Sequence, residues 1–149
     1  MSTIGGENLK KEDIYSIREF DRFYMTVLRL TDKYHLHTHF TILESRLLLE
    51  INRGNNTANQ LLKVLKLDKG YISRVLKKLE NEQLITKQTA ESDLRIKVLA
   101  LTPSGKTALK EIDRRADEQI SDLFKDVDST DIAQIIAAMQ KIQTELSKD

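Results

Sequence analysis

Three groups of side chains in this sequence have types and spacings that can do chemistry. Asp93 and Arg95 stand two apart in "AESDLRIKV". A guanidinium is a planar fork of donors suited to carboxylate, phosphate or the edge of a guanine, and an acid at that spacing can hold it in place. "KGYISRVLKKLEN" gathers Lys69, Gly70, Tyr71, Ser73, Arg74, Lys77 and Lys78, with no acid from Lys69 to Lys78. That set can grip a polyanion through its cations and read it through its hydroxyls and guanidinium. In "HLHTHF", His35, His37 and His39 alternate. On an extended segment three imidazoles would point one way, as zinc or nickel ligands do. No cysteine and no nearby acid pattern completes that set, so a polar interhelical loop is the expected reading, with no metal and no cofactor.

Composition narrows the chemistry further. The chain has no cysteine, which removes thiolate catalysis, disulfides and Cys-ligated zinc. It shows no nucleophile–base pair, no phosphate-cradling glycine loop and no cofactor fingerprint, so it is not expected to be an enzyme. A net charge of +1 conceals a segregation: residues 63–97 sum to +4 and residues 110–149 to −4. A basic middle suits a surface that meets a polyanion, although an ordinary solvated surface of uneven charge fits as well. No apolar run approaches the roughly 18 residues needed to cross a bilayer. "MSTIGGENLKKEDI" has no apolar segment after its basic residues. No signal peptide and no membrane partner are expected, and the cytoplasm is the expected location.

These groups need elements to hold them. Ile14, Ile17, Phe20, Tyr24, Val27, Leu28 and Leu30 recur near helical spacing and predict a long first helix reaching about Tyr34. Thr41, with Glu44 three residues on, is a capping-box signature ahead of Leu43, Leu47, Leu48 and Ile51, and "NRGNN" ends that second helix. A short helix from Thr57 to Leu65 follows. Asp68 can cap a fourth, whose inward stripe is Ile72, Val75, Leu76 and Leu79. With that stripe buried, Gly70, Arg74, Lys77 and Asn81 face outward, flanked by Tyr71, Ser73 and Lys78. After Glu82 the period changes, and "LITKQT" and "RIKVLAL" read as two strands joined through "AESD". Thr102 and Pro103 start a helix with the stripe Ala108, Leu109, Ile112, Ala116, Ile120 and Leu123. A last helix from about Ser129 carries Ile132, Ile135, Ile136, Met139, Ile142 and Leu146.

Two short helices across a tight turn, followed by a hairpin, make a winged helix-turn-helix, with 69–83 as recognition helix and 90–95 as wing tip. The expected fold is therefore mainly α with a small β-hairpin wing. It is expected as one domain over 1–149, in which 40–101 form the winged region and 12–36 and 102–149 form flanking helices.

The stretch "TANQLLKVLKLDKGYISRVLKKLENEQLITKQTAESDLRIKVLALTPSGKTAL" resembles the DNA-binding core of the MarR family, the multiple-antibiotic-resistance regulators, and the resemblance runs from about Ile14 to Leu146. "ISRVLKKLE" matches the recognition helix, "DLR" the wing's Asp-x-Arg, and "LTPSGK" the entry to the fifth helix. The resemblance implies that Arg95 enters a minor groove while Asp93 holds the wing loop, by pairing with the arginine or with backbone N–H. An ordinary surface ion pair on a turn is the alternative. On the helix, Arg74 is expected to read guanine, and Tyr71 and Ser73 to meet base edges or phosphates. Gly70, beside Lys69 at the helix start, lets the N-terminus approach DNA closely, and Lys77 and Lys78 are expected on phosphates. One departure from such motifs is Lys66, which occupies the turn where a glycine is common.

The first, fifth and sixth helices carry apolar stripes too long for one small winged domain to bury. The resemblance implies that they dimerise with a second copy and that a homodimeric repressor binds a pseudo-palindromic operator on double-stranded DNA. It also implies release by a small aromatic or anionic effector, for which Tyr34, His35, His39 and Arg46 lie in the expected region. "IYSIREFDRFYMTVLRLTDKYHL" and "ESRLLLEI" are similar to the regulator half of proteins that fuse a MarR domain to a GNAT-type acetyltransferase. The chain ends soon after its sixth helix, so that second domain is not expected here. A regulator fragment of such a fusion, and a winged helix used as a protein-interaction adaptor, are the alternatives.

Overall fold

The computed structural model describes residues 8–148; residues 1–7, part of the stretch examined above for a signal peptide, lie outside them, as does Asp149. Among the described residues the order is α1 Lys11–Val27, α2 Ile42–Asn52, α3 Ala58–Leu65, α4 Lys69–Asn81, β1 Ile85–Thr89, β2 Lys97–Leu101, α5 Pro103–Leu123 and α6 Ser129–Leu146. This is the mainly helical architecture with one hairpin that the hydrophobic periods predict. Two compact units divide within α5, the first running to Asp113 and the second from Arg114. No described helix is long and apolar enough to cross a membrane.

The core of the first unit joins Leu47, Leu48 and Ile51 of α2, Leu61 of α3 and Ile72, Leu76 and Leu79 of α4 to Ile85 and Leu99 of the hairpin and Leu109 and Ile112 of α5. Each fully buried side chain of this kind contributes about 1.5–3 kcal/mol before conformational entropy is set against it. Val75, expected in the inward stripe, is only partly buried. The strands pair antiparallel with Ile85 opposite Leu101 and Thr89 opposite Lys97. On the other edge of β2 the Leu99 N–H donates to the Asn56 carbonyl at 2.7 Å, which ties the hairpin to the chain just ahead of α3.

Helix starts follow the sequence signals closely. The Thr41 N–H donates to Glu44 Oε1 at 2.9 Å and the Glu44 N–H to Thr41 Oγ1 at 3.1 Å, a complete capping box. Thr57 and Gln60 repeat that reciprocal arrangement at α3. Thr102 Oγ1 accepts from the Gly105 N–H at the start of α5 and donates to the Gln83 carbonyl. Gly105 there is a steric requirement: a Cβ at this position would lie 2.0 Å from the Leu84 carbonyl oxygen, so α5 crosses the chain ahead of β1 at backbone distance.

The end of α1 departs from expectation. α1 stops at Val27 and does not continue to Tyr34. Arg29 adopts φ +56°, its N–H donates to the Thr26 carbonyl and that of Leu30 to Met25, the paired bonds of a Schellman ending. α4 ends at Asn81 in the same way, through Gln83 at φ +63° and bonds from Gln83 to Glu80 and from Leu84 to Leu79. Lys66 closes α3 at φ +53°, ψ +47°, donating to the Leu62 carbonyl. The turn expected to suit glycine is thus left-handed, and a lysine occupies it.

In the second unit, Asp128 accepts the Thr130 N–H at the start of α6. α6 buries none of its residues, and Ile136, Ile142 and Leu146 are exposed.

Candidate nucleic-acid interface

Asp68 sets the start of α4 by accepting the Tyr71 N–H on Oδ2 at 3.2 Å. The helix then presents Lys69, Gly70, Tyr71, Ser73, Arg74, Lys77 and Asn81 to solvent. A Cβ on Gly70 would come within 3.3 Å of Asp68 Oδ2 and 3.7 Å of Arg74 Nη1, so the glycine leaves room for the cap as well as for an approaching ligand. The Arg74 guanidinium lies over the Tyr71 ring, 5.7 Å from its centroid. A cation–π contact of this kind contributes about 0.5–1 kcal/mol when exposed and favours keeping the guanidinium beside the Tyr71 ring.

Asp93 organises the wing. Its Oδ1 accepts the Arg95 backbone N–H at 2.9 Å and Arg95 Nε at 3.1 Å, and its Oδ2 accepts Arg95 Nη2 at 2.9 Å. Pairing with the side chain and pairing with the backbone are therefore both present. These bonds, the side-chain pair foremost, hold the Asp93 carboxyl below its ordinary pKa and raise that of Arg95. The loop is closed by bonds from the Ala90 N–H to the Ile96 carbonyl and from the Ile96 N–H to the Asp93 carbonyl. Arg95 remains 90% exposed despite its partner, so the guanidinium is aimed by one edge and free to bind along the other.

Lys78 sits differently from its neighbours. It was expected on a phosphate, yet its ammonium donates to Glu44 Oε2, on a carboxylate that is itself buried, across 34 residues of sequence. That hydrogen bond, with the charge of Glu44 behind it, raises the Lys78 pKa. The capping box marks Glu44 in the sequence, but nothing in its spacing marks this second contact.

The residues expected near an effector are dispersed in their bonding. Tyr34 is exposed, with the Lys33 ammonium 5.2 Å from its ring centroid. His35 is half-buried, its pKa lowered by desolvation, and its backbone N–H donates to the Phe40 carbonyl. His39 packs on Phe40 at 4.0 Å between ring centroids. Arg46 gives its Nε to Glu50 Oε2 at 2.7 Å. The extended histidine segment is not formed: His35–His37 make a short 3-10 turn in which Leu36 and His37 take positive φ. Among the described residues no group of three or more His, Asp or Glu side chains fits a metal ion.

A family model described as MarR family matches residues 40–97, the span that contains α2, α3, α4 and the wing. No curated protein matches the chain. Among solved structures, a cysteine-to-serine mutant of MarR from E. coli complexed with operator DNA is similar at a TM-score of 0.72 and 22% identity, covering 91% of this chain and 99% of that one. FabT from Streptococcus pneumoniae in complex with DNA gives 0.75 and 21%, covering 90% and 97%. The transcriptional regulator BldR from Sulfolobus solfataricus gives 0.72 and 16%, covering 91% and 99%. At these identities the likeness is one of fold.

Proposed function

We propose that this chain, whose residues 40–97 match a MarR family model, is a cytoplasmic, homodimeric transcriptional repressor of that family. In this reading it binds a pseudo-palindromic operator and is released by a small aromatic or anionic effector. The observation that carries it is the pairing of two readers in one unit: an acid-free exposed face on α4 and an arginine-tipped wing aimed by Asp93. Arg74 reads a guanine edge in the major groove, with Tyr71 and Ser73 beside it. Lys69 and Lys77 take phosphates, Gly70 admits the helix N-terminus to the backbone, and Arg95 enters the minor groove.

Dimerisation rests on apolar surface that one chain leaves open. Tyr15, Ile17, Phe20 and Phe23 of α1 are at least half exposed, and α6 adds Ile142 and Leu146. A two-fold pair of reading heads would sit about one DNA turn, ~34 Å, apart. Selection of bound sequences from random duplex DNA by the purified chain tests the reading. Enrichment of an inverted repeat is the expected result, and no enrichment at low salt would overturn it in favour of a protein-interaction adaptor.

A further inference from the structure

Two charged contacts tie α4 to the body of its unit: Lys78 to the buried Glu44 of α2, and, longer and more exposed, Glu80 to Lys87 of β1 at 3.8 Å. Glu44 carries two loads at once: Oε1 accepts the Thr41 N–H that closes the start of α2, and Oε2 accepts the Lys78 ammonium from the last turn of α4. Its side chain is 5% exposed, against 52% for that of Lys78. Glu82 and Tyr34 are the other groups that act electrostatically on this ammonium, and both favour its charged form. Lys78 flanks the inward stripe of Ile72, Leu76 and Leu79, so its hold on Glu44 opposes rotation of α4 about its own axis. That rotation is the degree of freedom the apolar stripe alone constrains least, because hydrophobic contact is non-directional.

We infer that Glu44 and Lys78 are positioning residues for DNA recognition, with Lys78 fixing the rotation of α4 and contacting no phosphate. The inference rests on the DNA-binding reading above and deepens it. Moving the ammonium to an exposed phosphate would leave the buried Glu44 carboxylate without its cation, a loss that an exposed phosphate contact does not repay. Lys77, on the outward face and exposed, has no such partner among the described residues and is open to phosphate.

The test compares the salt dependence of binding for the full chain on its selected duplex and on a scrambled duplex of equal length. Lys77→Gln should lower the log–log salt slope by about one, the release expected per lost phosphate contact. The double variant Glu44→Gln/Lys78→Gln leaves no stranded buried charge and keeps an oxygen for the Thr41 N–H. It should fold, retain the wild-type slope, and lose roughly tenfold of the preference for the selected duplex, about 1.4 kcal/mol by the usual conversion. Lys78→Arg, which can still reach Glu44, should restore that preference. A slope lowered by about one in the double variant, as in Lys77→Gln, would overturn the positioning role while leaving DNA binding intact. So would an undiminished preference in a folded double variant. If the wild-type chain binds neither duplex, the DNA-binding reading fails and this inference with it.

Discussion

The winged region and the terminal helices spend their apolar residues in opposite ways. From Phe40 to Ile112 the chain closes a core around fully enclosed Leu47, Leu48, Leu61 and Leu79, whereas α1 and α6 bury no residue at all and leave Phe20, Phe23, Ile136 and Ile142 exposed. The difference teaches which part is complete in one copy. The reading head is already packed and capped. The terminal helices leave apolar stripes exposed, the kind of surface that the homodimer proposed above would bury.

Breaking the reading head should have the largest effect. Gly105→Ala drives a Cβ into the Leu84 carbonyl oxygen at 2.0 Å, a contact with backbone that cannot rotate away. α5 would have to lift from the chain ahead of β1, with a stability loss of about 3 kcal/mol or more. Chemical denaturation checks this, and a variant as stable as wild type would mean that α5 crosses elsewhere.

Removing the terminal contribution should leave the head folded but disarmed. Truncation before Ser129 is expected to give a monomeric or aggregating product whose affinity for the full inverted repeat falls by roughly 100-fold, the advantage that linking two half-site contacts supplies. Sedimentation and binding isotherms decide it. A truncated chain that is still dimeric at full affinity would dissolve the contrast drawn between the two regions.

Within the head, the wing can be tested apart from the helix. Arg95→Ala should weaken operator binding by roughly ten- to a hundredfold with fold and dimerisation unchanged. Asp93→Ala should weaken it less, since it removes the restraint on the guanidinium and leaves the guanidinium itself. Unchanged isotherms for a folded Arg95→Ala variant would remove Arg95 from the interface.

Acid should expose the buried carboxylate at the end of α2. Glu50 has its pKa lowered, first by the hydrogen bond from Arg46 and then, against the opposing effect of burial, by that from Asn55. A folded-state pKa below the unfolded value of 4.5 means that its stabilisation is fully present above that pH and is lost as pH falls through the folded pKa. Wild type should therefore lose stability relative to Glu50→Gln only below about pH 4.5. A difference between the two that stays constant from neutral to strongly acidic pH would contradict the shift.

Where the sequence was legible, a local side-chain signal existed. Thr41, Thr57, Asp68 and Thr102 mark four helix starts because an N-cap hydroxyl or carboxylate bonds within three residues of itself. The outward face of α4 was legible because helical period alone decides it. The end of α1 was not, since the left-handed residue that stops it is Arg29, where only a glycine would have signalled; Lys66 and Gln83 take the same conformation after α3 and α4, whose ends the apolar periods place to within two residues. The apolar period of α1 carries on through Leu28 and Leu30 past the true end. The histidine stretch was read as a polar interhelical loop, and positive φ at Leu36 and His37 folds it into a turn, not the extended segment that three aligned imidazoles would need. The Glu44–Lys78 contact was illegible because pattern reading sees neighbours in sequence and these are 34 residues apart.

Those unmarked turns also yield the smallest and cleanest change. Lys66 sits at φ +53°, ψ +47°, where an L-residue loses roughly 1–2 kcal/mol to contact between its Cβ and the backbone. Its side chain is exposed and makes no contact that the turn depends on, while the backbone N–H that closes α3 on Leu62 is available to any residue. Lys66→Gly relieves the clash but adds freedom to the unfolded chain, which offsets part of the gain. The net is expected to be about 0.5–1 kcal/mol of added stability, with the angle between α3 and α4 and the binding preference unchanged. Lys66→Val, branched at Cβ, should lose stability at the same position. If both substitutions shifted the denaturation midpoint in the same direction, the left-handed turn would not be what limits stability there, and the joint between the two helices of the reading head would be softer than its geometry implies.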